Sequence, residues 1–220
     1  SEVDDVGFLA ALANYLQATY NLSVENTFSC GMSNGGFMSY TLACERTDLF
    51  KAIASVTGTM SGYDWENCDP SRALPVLQMS GTADRVVPID GSLTELGGWG
   101  GAPGMEAVVN YWTTLNECGI TDSMEVAADF ATVIKKYTNC TENNQVWEYL
   151  IEDWGHEWPM STSGTGFGAG AEIWDFFSTF IEVTTNTEDF SNHALSIYPN
   201  PAQTTIYVNT TGLGNSTYIF

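Results

Sequence analysis

Residues 31–36, with the sequence GMSNGG, decide the predicted fold because they match the pattern G-x-S-x-G at a strand-to-helix turn. Residues 26–30 resemble a short strand, and residues 36–44 resemble a helix. On such a turn the serine hydroxyl stands exposed at the top of a sheet, and the flanking glycines leave room where side chains would clash. The sequence therefore makes Ser33 a candidate nucleophile, with the backbone N–H of Asn34 as a candidate half of an oxyanion hole.

A serine nucleophile needs a base, and the chain contains two histidines. His193 lies in a polar stretch, where an exposed side chain without a catalytic role is expected. His156 follows the strand-like residues 146–151 and comes directly after Gly155. A lone histidine is usually structural, but the serine motif and the lack of a competitor favour His156 as the base that takes the Ser33 proton.

The third catalytic group should be a carboxylate between these two residues in the chain. Asp84 ends a strand-like segment, so it is expected at the carboxyl edge of the sheet, where ligands gather in open α/β folds. Asp90 is the rival, six residues later. We favour Asp84 as the group that orients His156. The order Ser33, Asp84, His156 is the order of the α/β-hydrolase fold and differs from that of the chymotrypsin-like and subtilisin-like proteases.

The rest of the first 181 residues predicts strands alternating with helices, and hence a mostly parallel sheet flanked by helices. Residues 91–104 are glycine-rich and predict a loop. Predicted helices cover residues 6–20, 36–44, 105–118 and 172–181, and predicted strands cover residues 26–30, 52–56, 75–79 and 146–151.

The charge of the chain argues against several partners. The chain contains 6 Lys and Arg residues and 27 Asp and Glu residues, which gives a formal net charge of −21. Nucleic acid and anionic membrane surfaces would be repelled by such a protein. No run of about 18 apolar residues is present, so membrane insertion is not expected. No metal-ligand cluster or phosphate-binding loop is apparent either, and we expect no metal and no cofactor.

Five cysteines are present, and their spacing lacks the paired pattern of a zinc site. Pairing Cys44 with Cys68 and Cys118 with Cys140 would close two loops worth about 3 kcal/mol each in the chain-entropy model. Sequence alone cannot fix the connectivity. The preferred arrangement is these two bridges with a lone, buried Cys30, which suits an oxidising compartment.

Four separated motifs resemble those of the polyhydroxybutyrate depolymerase-like esterases, a family that overlaps with the feruloyl and acetylxylan esterases of the first carbohydrate esterase family. The resemblance covers residues 3–181. It implies secreted serine esterases that act on polymer esters, with the triad roles falling on Ser33, Asp84 and His156, and it is compatible with the two predicted disulfides. The motifs are GMSNGG at 31–36, LACE at 42–45, GTAD at 81–84 followed by Val87-Pro88, and GHEWP at 155–159.

The end of the chain is similar to the C-terminal sorting domain of the type IX secretion system. The similarity lies in LSIYPNP at residues 195–201 and a strand at 205–208. It implies a bacterial enzyme that the type IX machinery exports or anchors at the cell surface. The predicted organisation is an esterase domain over residues 1–183, a linker over 184–193 and a partial sorting domain over 194–220.

We expect this sequence to be a fragment at both ends. The first strands of the family, and the loop that donates the second oxyanion-hole amide, should precede Ser1. The sorting domain should continue beyond Phe220. The predicted fold is therefore an N-terminally truncated α/β-hydrolase with a partial C-terminal β domain, and the isolated fragment is expected to fold poorly and to be nearly inactive.

Tryptophans near the predicted site suggest a substrate. Trp154 and Trp158, and with less weight Trp99, could stack on a feruloyl ring or a sugar, although packing would explain them equally well. Feruloyl or acetyl esters of plant polysaccharide are the first expectation, and a polyhydroxyalkanoate or another aliphatic polyester is the second. A catalytically inactive, surface-displayed binding module is the alternative of another class.

Overall fold

The computed structural model describes residues 3–92, 101–182, 195–198 and 207–210. The chain divides into two compact units, Ser1–Glu182 and Val183–Phe220. The predicted linker 184–193 with His193, and also Trp99, lie outside the described residues. The assignments of the two units as an esterase domain and a sorting domain stay predictions.

A six-stranded mixed sheet forms the centre of the first unit, with the strand order β1-β2-β3-β6-β5-β4. The four strands β1, β2, β3 and β6 are parallel neighbours, and β5 and β4 continue the sheet in antiparallel pairing. The strands are β1 (Phe28–Met32), β2 (Ala52–Val56), β3 (Val76–Gly81), β4 (Ile120–Val126), β5 (Thr132–Thr138) and β6 (Val146–Ile151).

Helices cover both faces of the parallel strands, which is why every residue of β2 and β3 is buried. On one face, Ile173 and Phe176 of a C-terminal helix pack on the sheet. On the other face, Val108 and Trp112 of a second helix do so. The helices are α1 (Asp5–Tyr20), α2 (Asn34–Glu45), α3 (Gly62–Asn67), α4 (Met105–Leu115) and α5 (Ala169–Ser178), with a short 3-10 turn at Thr141–Asn143.

This architecture is the predicted mostly parallel sheet flanked by helices, with local differences. The last helix, α5, lies three residues earlier than predicted, and α4 ends three residues earlier. The first strand ends at Met32, and α2 begins at Asn34, two residues before the predicted start. The helix α3 was not predicted. The hairpin β4–β5 was also missed, because the β4 side chains are mostly exposed and its sequence, ITDSMEV, lacks a clean alternation of apolar and polar residues.

Both predicted disulfides are present, Cys44–Cys68 and Cys118–Cys140. Cys30 is free as predicted, but the expectation that it is buried is wrong, because it is exposed. Cys30 lies on β1, the edge strand of the described sheet, whose side chains are less covered than those of the central strands β2 and β3.

The described part of the second unit is an antiparallel pair, β7 (Leu195–Tyr198) and β8 (Tyr207–Thr210), in which Leu195 lies opposite Thr210. The strand β8 starts two residues after the start of the predicted strand at 205–208. Among the described residues, no helix is both long and apolar enough to cross a membrane.

Candidate active site

Ser33 lies on a sharp turn between β1 and α2. It is the residue that precedes the first turn of α2, and its backbone has a φ of 53° and a ψ of −119°, which is strained for a residue with a side chain. Its N–H donates to the Val56 carbonyl at 2.9 Å, and its own carbonyl accepts from the N–H groups of Gly36 at 2.8 Å and Phe37 at 3.0 Å. These bonds tie the turn to the neighbouring strand and to the helix, so the strained conformation of Ser33 is held from both sides.

The glycines around Ser33 do not all serve the same purpose. A Cβ atom on Gly31 would lie 2.5 Å from the carbonyl carbon of Gly35, so Gly31 has no room for a side chain. A Cβ atom on Gly35 would meet nothing within 4 Å, so the expectation that both glycines of the motif avoid a clash is wrong for Gly35. The tight position is Gly36, whose Cβ would collide with Ser55 Oγ and lie 3.0 Å from Gly58 Cα.

Asp84 follows β3, and its buried carboxylate is satisfied at both oxygens. Oδ1 accepts from the backbone N–H groups of Val86 and Val87, each at 2.8 Å. Oδ2 lies 2.8 Å from Nδ1 of His156. The rival Asp90 is exposed, so the structure places Asp84 as the carboxylate beside this histidine.

The loop that carries His156 interlocks with the loop that carries Asp84. The N–H of Asp153 donates to Thr82 Oγ1 at 2.8 Å, and the N–H of Ala83 donates to the Trp154 carbonyl at 3.0 Å. A side chain on Gly81 would collide with that same carbonyl. The two loops therefore hold each other in place, and the His156 side chain remains about one-fifth exposed, as a base that exchanges protons with a ligand requires.

Ser33, Asp84 and His156 all follow the carboxyl ends of parallel strands, β1, β3 and β6, so they lie at the same edge of the sheet. Within the described residues, hydrogen bonding joins His156 to Asp84 and does not join Ser33 to His156. Catalytic hydrogen bonds often tighten only when a substrate is bound, so this arrangement is compatible with proton transfer between Ser33 and His156. Asn34 is exposed at the first position of α2, where backbone N–H groups favour negative charge.

A cleft of about 360 Å³ opens beside Ser33. Its apolar wall comes from two sources: Phe37, one turn along α2 from Ser33, and the valines of the loop that holds the Asp84 carboxylate. Val87 is buried, and Val86 is 58% exposed at the surface. Its described lining residues are Ser33, Asn34, Phe37, Ser61, Val86 and Val87.

The predicted substrate tryptophans do not line this cleft. Trp154 is buried and packs edge-on against Phe130, and its indole N–H donates to the Glu157 carbonyl. Trp158 is partly buried and packs against the same core cluster. The contacts of Trp154 are those of core packing, so the expectation that it stacks on substrate is wrong, whereas the same expectation for the partly buried Trp158 stays a prediction.

Of the residues that line the cleft, sequence reasoning found Ser33 and Asn34 and missed the other four, Phe37, Ser61, Val86 and Val87. Phe37 could have been found, because a residue four positions after the nucleophile lies one helical turn above it on the same face. Val86 and Ser61 carried no such signal, because their distance from Ser33 depends on how two loops fold back over the sheet. Across residues 3–92, 101–182 and the two short strands, no group of three metal-ligating side chains comes together.

The chain is similar in sequence to a known family and to several curated proteins. Residues 2–71 match the model of the prolyl oligopeptidase family. The chain is 27% identical to feruloyl esterase C of Emericella nidulans, over 79% of this chain and 57% of the relative. It is 35% identical to a probable feruloyl esterase C of Aspergillus niger, over 41% of this chain and 32% of the relative. The chain thus spans between about a third and somewhat more than half of these relatives, which are carboxylic ester hydrolases by name.

Among solved structures, acetyl xylan esterase from Aspergillus awamori superposes with a TM-score of 0.52. The match has 13% sequence identity and covers 80% of this chain and 67% of that one. At this identity the likeness concerns the fold, and it shows that the first unit has the α/β-hydrolase architecture.

Proposed function

We propose that this protein is a serine esterase that hydrolyses carboxylic esters attached to plant polysaccharide, through an acyl-enzyme formed on Ser33. The observation that carries the proposal is the 2.8 Å contact between Asp84 Oδ2 and His156 Nδ1, at the sheet edge that also carries Ser33 on its strained turn. The similarity to feruloyl esterases supports the choice of ester hydrolysis over other chemistry available to this fold.

In the proposed reaction, His156 Nε2 takes the proton of the Ser33 hydroxyl while Ser33 Oγ attacks the ester carbonyl. Asp84 holds Nδ1–H, so Nε2 is free to accept, and the buried carboxylate stabilises the imidazolium. The Asn34 N–H stabilises the oxyanion. The carbon–oxygen bond to the alcohol then breaks, and His156 gives the alcohol its proton. Water, deprotonated by His156, releases the acid and restores Ser33.

The character of the cleft favours a large apolar acyl group. Phe37, Val86 and Val87 present hydrocarbon beside the nucleophile, and about 360 Å³ is at the lower end of the range for small-molecule sites. A hydroxycinnamoyl group such as feruloyl would bury its ring against these side chains, whereas an acetyl group would leave most of the cleft filled with water. Feruloyl esters are therefore the proposed substrates, ahead of acetyl esters and of aliphatic polyesters, which this cleft does not specifically favour.

The decisive test has two parts on the complete gene product. Fluorophosphonate labelling should modify the parent protein and the Ser161→Ala control, whose serine is exposed and outside the cleft, and it should disappear in Ser33→Ala. Hydrolysis of methyl ferulate, acetylated xylan and polyhydroxybutyrate should then rank the substrates, with methyl ferulate fastest. A parent protein that neither labels nor hydrolyses any ester would support the inactive binding module instead.

Extracellular location is part of the proposal. Two disulfides in the described residues favour an oxidising compartment. The antiparallel pair at residues 195–198 and 207–210 is compatible with a β domain at the end of the chain, and we propose that it belongs to a type IX sorting domain of a bacterial enzyme. Fractionation of the source cells tests this, because deletion of residues 194–220 should leave the enzyme in the periplasm.

A further inference from the structure

The buried side-chain amide of Gln78, close to the candidate site, has hydrogen-bond partners at both its oxygen and its nitrogen. Gln78 lies at the centre of β3 and is completely buried. Its Oε1 accepts from the Tyr40 hydroxyl at 2.9 Å. Its Nε2 lies 2.9 Å from the Gly58 carbonyl, 3.1 Å from the Met79 carbonyl and 3.0 Å from Ser80 Oγ. The two carbonyls can only accept, so the amide nitrogen must face them and the amide oxygen must face Tyr40.

The partners of Gln78 belong to three elements around the candidate site: α2, the loop after β2, and β3. Tyr40 is buried in α2, the helix that starts at the nucleophile, and desolvation by burial, with a smaller effect from Glu148, raises the pKa of its hydroxyl and keeps it a donor. Gly58 belongs to the loop after β2. Ser80 belongs to β3 itself, four residues before Asp84. One side chain therefore links the helix of the nucleophile, the neighbouring loop and the strand that leads to the acid.

The Gly58 loop in turn supports the nucleophile turn directly. A Cβ atom on Gly58 would lie 2.7 Å from the Ser33 carbonyl oxygen and 2.8 Å from Gly36 Cα. Thr57, just before it, has a φ of 47°, so the loop is strained where it meets the turn. A strained loop keeps its shape only when its surroundings hold it, and the bond from Gln78 to the Gly58 carbonyl provides such a restraint.

We infer that Gln78 is a positioning residue, which sets the place of Ser33 by holding the Gly58 loop against the nucleophile turn. This inference rests on the proposed serine esterase function. Gln78 touches no reacting atom in this scheme. Its loss would leave the Gly58 carbonyl without its donor and would allow the turn to shift, and displacements on the order of 1 Å cost about 100-fold in rate.

The test compares Gln78→Met, which keeps the length of the side chain, with a matched control, Asn116→Leu. Asn116 is also fully buried, and its amide donates to the Leu74 carbonyl at 3.0 Å and the Trp112 carbonyl at 2.8 Å. It follows α4 and bonds to Leu74, which precedes β3, so it lies at the opposite end of the sheet from the candidate site. Both substitutions remove a buried amide that bonds backbone carbonyls, so both should lower the thermal midpoint by similar amounts.

The measurements are the rate of fluorophosphonate labelling and the separate kcat and KM for methyl ferulate, on the complete gene product well below its thermal midpoint. Gln78→Met should label roughly 10- to 100-fold more slowly, with kcat lowered and KM nearly unchanged, while Asn116→Leu should label at the parental rate. Equal rates for Gln78→Met and parent would overturn the inference. Equal slowing in both variants would also overturn it, because the effect would then follow stability alone.

If Gln78→Met does not fold, Tyr40→Phe decides the question. It removes one buried hydroxyl and leaves the amide oxygen of Gln78 without its donor, so the amide is held less firmly against the Gly58 carbonyl. Labelling should slow about fivefold, in line with the loss of one ordinary hydrogen bond. A parental rate in this variant would overturn the inference. A parent protein that does not label at all would instead reject the proposed function, so the two failures are distinguishable.

Discussion

The nucleophile turn at residues 31–36 and the paired loops that carry Asp84 and His156 are positioned in different ways. The turn is held by close backbone contacts: Gly31 against Gly35, and Gly36 against the Gly58 loop. The paired loops are held by hydrogen bonds, at both oxygens of the Asp84 carboxylate and at the Thr82 hydroxyl. Adding a Cβ atom to Gly36 should therefore damage the first region directly, whereas removing a side-chain acceptor from Asp84 or Thr82 should damage the second.

This difference has a physical origin. The nucleophilic serine lies on a strained backbone turn, and its position has to be fixed closely. Close steric contacts do this well, because repulsion between atoms rises steeply as they overlap. A base must accept and release a proton, so its position is better set by directional hydrogen bonds that also fix the ring tautomer. Three substitutions test this contrast.

Asp84→Asn should have the largest effect. The new amide would donate to His156 Nδ1 and leave the proton on Nε2, so the histidine could no longer accept from Ser33. We expect kcat for methyl ferulate to fall about 10,000-fold with little change in KM. Asp90→Asn is the control and should retain parental kcat. Activity of Asp84→Asn within tenfold of the parent would show that another group orients His156.

Gly36→Ala should have an intermediate effect, because its Cβ would collide with Ser55 Oγ and press on the Gly58 loop. We expect kcat to fall roughly 100-fold and stability to fall by about 1–3 kcal/mol. Gly35→Ala is the matched comparison inside the same turn. Its Cβ meets nothing, so activity should stay within about twofold and the thermal midpoint should not fall, because alanine favours a helix over glycine. Equal damage from both substitutions would refute a steric role specific to Gly36.

Thr82→Val should have the smallest effect of the three. It keeps the shape of the side chain and removes the oxygen that accepts from the Asp153 N–H. The loss of one such bond is worth about 1 kcal/mol, so kcat/KM should fall about fivefold. Thr113→Val, which breaks a hydrogen bond to the Asn110 carbonyl on α4, is the control for stability alone. If both variants lose activity equally, the two loops do not depend on Thr82 for their alignment.

Much of the fold could be predicted from sequence, because many strands and helices are encoded by short local patterns of residues. The strand at Ala52–Val56 and the strand at Val146–Ile151 have the predicted bounds, since the first is a short, mostly apolar run and the second alternates like a strand. The two disulfides also have the predicted pairing. The exposed state of Cys30 and the hairpin β4–β5 could not be predicted, because burial of an edge strand and pairing of an exposed one depend on which strands lie beside them.

Some features of the candidate site could likewise be predicted from sequence, and others could not. The G-x-S-x-G motif and the chain order of Ser33, Asp84 and His156 pointed to candidate catalytic residues before any contact was known. The two valines of the cleft were beyond reach, because their place depends on how a loop folds over the sheet. Sequence also could not decide that Trp154 is buried, because residue type does not tell whether an aromatic ring faces a ligand or the protein interior.

Sequence by itself determined the candidate chemistry of this protein, because the turn motif, the choice of histidine and the chain order are properties of residue identity and spacing. Only the tertiary structure decided that Asp84 rather than Asp90 meets His156, that Gly36 rather than Gly35 is the crowded glycine, and that Gln78 bonds to the loop beside Ser33. These facts join residues 19 to 72 positions apart in the chain. Such distances are set by the packing of strands and loops and leave no periodic trace in the sequence.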